Sequence, residues 1–233
     1  MIGPLAPSRS ALIVATVLAA TALFTVVRAQ SAPPRAPASS LARPAPGPKA
    51  PDADGFLRRW LLLEPQPING QLGQTAVQAT VATAEFRSQL TALPRDGDTV
   101  TVGTTQLAWH AVDTLGYNVN LYHFAYALNK PTSNVLFSVA TLVHAPRELT
   151  NVRLAIGSNA ASVWWVNGQE VIGIYNDRQT VVDDGVSKRL TLKQGANVIR
   201  AAILNAGGAT DFCARFLDAE GRPVKGLTVT LTE

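Results

Sequence analysis

Leu154-Ala155-Ile156-Gly157-Ser158-Asn159-Ala160-Ala161-Ser162-Val163-Trp164-Trp165-Val166-Asn167-Gly168-Gln169-Glu170-Val171 is the stretch whose reading decides the fold. Two β-prone runs are joined by Asn167-Gly168, a pair that tolerates the positive φ angles of a two-residue type I′ turn, so a tight antiparallel hairpin is predicted. That turn sets the register of both strands, because side chains change face at every residue. Of Trp164 and Trp165, one must face the core and the other the opposite side of the sheet.

Outward from the hairpin, the chain from Phe56 keeps a period of two, broken by Gly, Pro, Asn and Asp. Strands are predicted over 59–63, 99–102, 106–112, 119–127, 135–144, 152–157, 162–166, 169–174, 187–192, 196–205, 212–218 and 228–231. Many short strands at this spacing imply an all-β antiparallel β-sandwich of the jelly-roll type over residues 55–233. A second turn is marked by Gly195 in Lys193-Gln194-Gly195-Ala196-Asn197. One short helix is expected near the start, over 74–90, where Val77, Val81 and Ala84 recur at helical spacing.

In front of this domain stand Arg9, an apolar run from Ala11 to Val27, and small residues at Val27 and Ala29, the pattern of a secretory signal cleaved after Ala29. An uncleaved membrane anchor is the rival reading of the same run. No cysteine follows it to carry a lipid. Residues 30–54 are rich in Pro, Ala, Ser and Arg and offer Leu41 as their one large apolar side chain, so a disordered tether is expected. The expectation is a secreted or periplasmic protein, free of the membrane after cleavage.

The chain carries a formal net charge of +4, yet Arg9, Arg28, Arg35, Arg43 and Lys49 lie in the front segment and the rest is close to neutral. Basic and aromatic residues do not interleave, so nucleic acid is set aside as a partner. A charged share of 15% argues against long solvated helices. Cys213 is the single cysteine, which excludes an internal disulfide and a thiolate zinc site; a buried thiol in a strand is its expected role.

A search for catalysis finds no complete constellation. Ser158 lacks the second glycine of a nucleophile elbow and no helix pattern follows it. His110, His123 and His144 are scattered, with no H-E-x-x-H run, although they could converge in space as a metal site. Asp183 and Asp184 are adjacent, with Asp113 and Asp177 as further carboxylates; neighbours on a strand face opposite ways, so a glycosidase pair is disfavoured and a loop is expected. Loops rich in Asp and Asn can also hold a structural calcium, and no other cofactor is expected.

The run Leu154 to Gly168 resembles the L-x-L-G-S-D-D-G-x-x-V-W-L-N-G signature of galactose-binding-like jelly-roll modules, which accompany many secreted glycoside hydrolases and esterases. Arg178 matches an arginine after the hairpin, and Leu192-Lys193-Gln194-Gly195-Ala196-Asn197-Val198-Ile199 resembles the family's L-K-x-G-x-N-x-L turn. Phe212 to Gly221 is similar to its closing F-x-x-R-x-x-D-x-x-G strand, and Phe56 to Pro65, with Trp60, to its first. The resemblance implies a non-catalytic, sugar-binding module. Asn159, Ala160 and Ala161 replace the two acids and the glycine of the signature, which removes the carboxylate that could grip a hydroxyl or a cation.

Trp165 corresponds to the signature tryptophan and is assigned to the core, which leaves Trp164 as the expected exposed platform for a pyranose face. Asn159, Asn176 and Arg178 are the expected polar contacts, while the turn alone explains Asn167. The alternative is that both indoles are buried between the sheet and a covering loop. Tyr122, Phe124 and Tyr126 would share one face of a strand and pack in the core. The expected partner is an extracellular or envelope glycan; a protein partner or a homo-oligomer, met through a sheet edge or aromatic patch, is the second reading.

Overall fold

The computed structural model describes Met1, Gly3 and residues 41–232, and the elements below belong to the compact unit Ala36–Glu233. The expected signal helix, its cleavage site and the tether as far as residue 40 lie outside the described residues. In chain order the elements are β1 (Leu41–Ala42), β2 (Arg59–Leu63), β3 (Gln66–Pro67), α1 (Gln74–Ala82), β4 (Thr99–Val102), β5 (Thr105–Thr114), β6 (Val119–Asn120), α2 (Leu121–Ala127) and β7 (Val135–Ala145). They continue with β8 (Leu149–Ser158), β9 (Ala161–Val166), β10 (Gln169–Ile174), β11 (Gly185–Val186), β12 (Leu190–Leu192), β13 (Gly195–Asn205), β14 (Asp211–Leu217) and β15 (Thr228–Thr230).

Two antiparallel sheets result. The larger runs β1-β5-β2-β7-β13-β9-β10, with β3 and β15 also on β7 and β4 on β5; the smaller runs β11-β8-β14-β6, with β12 on β8. The predicted hairpin is present: Asn167 and Gly168 have φ of 50° and 83°, and Val166 faces Gln169 across the turn. Asn167 also accepts the Val198 N–H at 2.9 Å and donates to Asn197 at 2.9 Å, which ties the turn to β13.

The core between the sheets takes Trp60, Phe137 and Trp164 from the larger sheet and Ile156, Phe212 and Phe216 from the smaller. Trp60, Trp164 and Phe212 meet edge to face at 5.0–6.2 Å between centroids, the geometry that ring quadrupoles favour. Trp164 is therefore fully buried, and its expected role as an exposed platform is overturned. Trp165 lies on the other face of β9, packed edge to face on Phe86 at 5.5 Å beneath α1 and the segment after it. The outer face of the larger sheet is thus covered as well, so β2, β7 and β13 read as continuous apolar runs rather than clean alternation.

Three further expectations change. Helix α1 buries Val77 and Val81 but ends at Ala82 rather than near 90, and turns carry the chain onward. The expected strand over 119–127 is two strand residues followed by helix α2: Asn120 Oδ1 accepts the His123 N–H at 2.7 Å, and that cap overrides the β-propensity of the aromatics. Phe124 goes to the core while Tyr122 and Tyr126, one helical turn apart, stack with nearly parallel rings. Finally, the expected tether is folded from Leu41 onward: β1 pairs with β5, and Lys49 bridges to Val229. The buried Arg59 guanidinium explains this, since it grips Asp113 at 2.8 and 3.0 Å and donates to the carbonyls of Ala45 and Gly47. Burial alone would raise the Asp113 carboxyl, but Arg59 and Lys49 outweigh it and hold it below the usual carboxylate range.

Candidate functional site

One end of the sandwich gathers the β8–β9 turn, the start of β14, the β10–β11 connection and the β6–α2 junction. Asp211 is their hub. Its carbonyl accepts the Asn159 N–H at 3.0 Å, and its carboxylate accepts Asn118 Nδ2 at 2.7 Å and the Thr180 hydroxyl. The neighbouring Thr210 carbonyl accepts the N–H groups of Leu121 and Tyr122 at 2.9 and 3.1 Å. Three loops therefore hang on two residues, which is how a rigid sheet fixes the loops at its end. Gly157 is required at this end: a Cβ there would lie 2.4 Å from the Val181 carbonyl, so the 175–184 loop could not close on β8.

Around the hub the surface is apolar and aromatic, with Tyr117, Tyr126, Val181 and Val182 all exposed. Asn118 Oδ1 and Thr210 Oγ1 are buried without a hydrogen-bond partner, leaving polar capacity unspent beside the hub. Helix α2, which carries Tyr122 and Tyr126, springs from Asn120, the residue paired with Asp211 across β6 and β14.

The structure brings Asn159 to this hub and leaves Trp164 in the core. Asn176 is exposed on the 175–184 loop, and Arg178 on the same loop is ion-paired with Asp184. Asp183 is held by Arg215, so each member of the adjacent acidic pair is taken by an arginine and the two do not form a catalytic dyad. Ser158 is buried and its hydroxyl donates to the Ala160 carbonyl at 2.8 Å, a turn role. Cys213 is buried, and burial pushes its thiol up to about 11, which keeps it protonated and inert. His110 faces Glu64 at 3.4 Å, and His144 faces Thr230 at 2.8 Å. Among the described residues, no three His, Cys, Asp or Glu side chains are grouped so as to hold a metal ion.

Asp211, Thr180 and Asn118 escaped the reading of the sequence, and Tyr122 and Tyr126 were expected in the core. Asn120 ahead of an aromatic run was a usable signal, since asparagine is a strong helix cap. Nothing local marks Asp211, whose partners come from 31 and 93 residues away.

No family model matches the chain, and no curated protein matches it. Among solved structures it is similar to a PA14 sugar-binding domain from an RTX adhesin, with a TM-score of 0.43 and 12% identity over 74% of this chain and 94% of that one. It is also similar to the β-glucosidase of Kluyveromyces marxianus, with a TM-score of 0.40 and 16% identity, and to that enzyme in complex with glucose, with 0.38 and 15%. Each glucosidase match covers 53% of this chain but spans about a sixth of the enzyme, 16% of its length.

Proposed function

We propose that the domain is a non-catalytic carbohydrate-binding module, and that the Asp211 end of the sandwich is where it meets an extracellular or envelope glycan. The observation that carries this is the pairing of a rigidly held polar hub with tyrosines on α2 that reach solvent. Sugars need both: an aromatic face for the C–H face of a pyranose and a few oriented polar groups for its hydroxyls. Tyr126 takes the platform role that Trp164 cannot fill, with Asn159 and Asn176 as polar contacts and Arg178 set on the same loop by Asp184. The Ser158 hydroxyl is spent on its own turn and the Asp183–Asp184 pair on two arginines, which supports binding rather than turnover.

Calorimetry of the protein with neutral plant and bacterial polysaccharides tests the reading. Binding that Tyr126→Ala weakens about tenfold, with an unchanged melting temperature, is the expected result; binding that ignores Tyr126 removes the site. The exposed Leu115, Tyr117, Val181 and Val182 favour a protein partner or a second copy as the other reading, and a defined oligomer in light scattering with no glycan binding would select it. The pattern of Arg9, the apolar run Ala11 to Val27 and Ala29 supports export of the module from the cytoplasm. Sequencing of the mature N-terminus should begin at Gln30, and a mature protein that begins at Met1 would overturn the cleavage.

A further inference from the structure

At the opposite edges of the two sheets, between β10 and the segment leading into β12, runs a groove of about 650 Å³, within the roughly 300–1,000 Å³ usual for ligand sites. Lys188, Arg189 and Lys193 line it, all exposed, against the single carboxylate of Glu170. Elsewhere in the domain Lys49, Arg59, Lys130, Arg178, Arg215 and Arg222 each sit on an acid. Among the described residues, the three groove cations make no ion pair or side-chain hydrogen bond. Three unpaired positive charges in a cleft focus the field and raise the local concentration of anions. The remaining lining groups include the exposed Gln169 and Thr191, partners for hydroxyls, and no aromatic ring on which a nucleic-acid base could stack. Strand β10 ends the order of its sheet, so its outer backbone edge also opens toward this side.

We propose that this groove is a second glycan subsite, selective for acidic polysaccharide: uronate carboxylates lie against Lys188, Arg189 and Lys193 while ring hydroxyls meet Gln169 and Thr191. It rests on the reading of the domain as a carbohydrate-binding module and adds the charge of the polymer that the module prefers. Arg189 can fork onto a carboxylate with two parallel hydrogen bonds, and the lysines act as point charges.

The test is calorimetry of the full chain against polygalacturonate, its neutral methyl ester, and polyglutamate as an acidic chain without sugar. Polygalacturonate should bind about tenfold more tightly than the ester at low salt, and that excess should vanish near 0.5 M salt, roughly where the screening length falls to a few ångströms. The triple variant Lys188→Gln, Arg189→Gln, Lys193→Gln should lower polygalacturonate to the level of the ester. Equal affinity for the acid and its ester, or an excess that survives the triple variant in a protein of unchanged melting temperature, overturns the groove. Polyglutamate binding as tightly as polygalacturonate overturns it in favour of an acidic peptide. The ester arm reports on the Asp211 end by itself: loss of ester binding while the acidic excess persists sinks that site and leaves the groove standing.

Discussion

Glu85 is the most informative residue to perturb. It lies in the segment that follows α1 and covers the outer face of the larger sheet, with Oε1 buried and unpartnered. Burial pushes its carboxyl up to about 7, against the smaller opposing pull of the Arg200 charge and the Ser138 hydroxyl. Arg200 is itself buried, stands over Phe86 and Trp109 at 5.1 and 5.7 Å, and donates to the Ala92 carbonyl, but its Nη1 finds no partner. The folded protein therefore keeps a proton on Glu85 up to about pH 7 that the unfolded chain releases near 4.5. Between those values the folded state binds more protons, so stability is fully present below pH 4.5 and drains away as pH rises through 7. At about 1.4 kcal/mol for each tenfold difference in proton affinity, the loss is about 3 kcal/mol. Glu85→Gln mimics the protonated acid and removes the loss. Urea unfolding of both proteins from pH 4.5 to 8.5 should give curves that coincide at the acid end and separate by about 2–3 kcal/mol in favour of the variant at pH 8. Contributions from other groups cancel in the difference. Parallel curves, or a variant less stable at pH 8, would refute the argument.

Trp164→Ala removes an indole from the centre of the inter-sheet core and should cost about 3–5 kcal/mol in chemical unfolding, whereas an exposed platform residue would cost almost nothing. Arg59→Ala leaves the buried Asp113 carboxylate to Lys49 alone and frees the carbonyls of Ala45 and Gly47. A loss of about 3–5 kcal/mol is expected, together with faster tryptic cleavage at Lys49; unchanged cleavage would mean that the segment is held by something else. Thiol-labelling of Cys213 at pH 8 should be slow in the native protein and complete within minutes in urea, because burial both hides the sulfur and holds it protonated; rapid native labelling would contradict that burial.

The features legible in the sequence were those that short-range chemistry dictates. Asn167-Gly168 announces its turn because few other pairs accept two positive φ angles in succession, and the opposition of Trp164 and Trp165 follows from strand geometry alone. Which face is sealed was not legible, since the cover over Trp165 comes from Val77, Val81 and Phe86, far back in the chain. The same holds at the front of the domain: Pro-rich composition predicts a tether, and one ion pair spanning 54 residues, Arg59 to Asp113, cancels that prediction as far back as Leu41. The Tyr122–Tyr126 stretch was misread because aromatic residues favour strands on average, and a single capping asparagine tips the local balance. Asp211 gathers its site from three loops, and no local pattern can report such convergence.

The Arg59 clamp has a mechanical consequence. A pull applied through residue 41 runs first along β1 and then into the guanidinium that grips Asp113, Ala45 and Gly47 together. The load is shared among several bonds before it reaches β2 and the tryptophan-filled interior. Peeling residues 41–49 from the sheet would lengthen the chain while the sandwich stays closed, so under tension these nine residues act as a fuse that gives way before the packed sheets do.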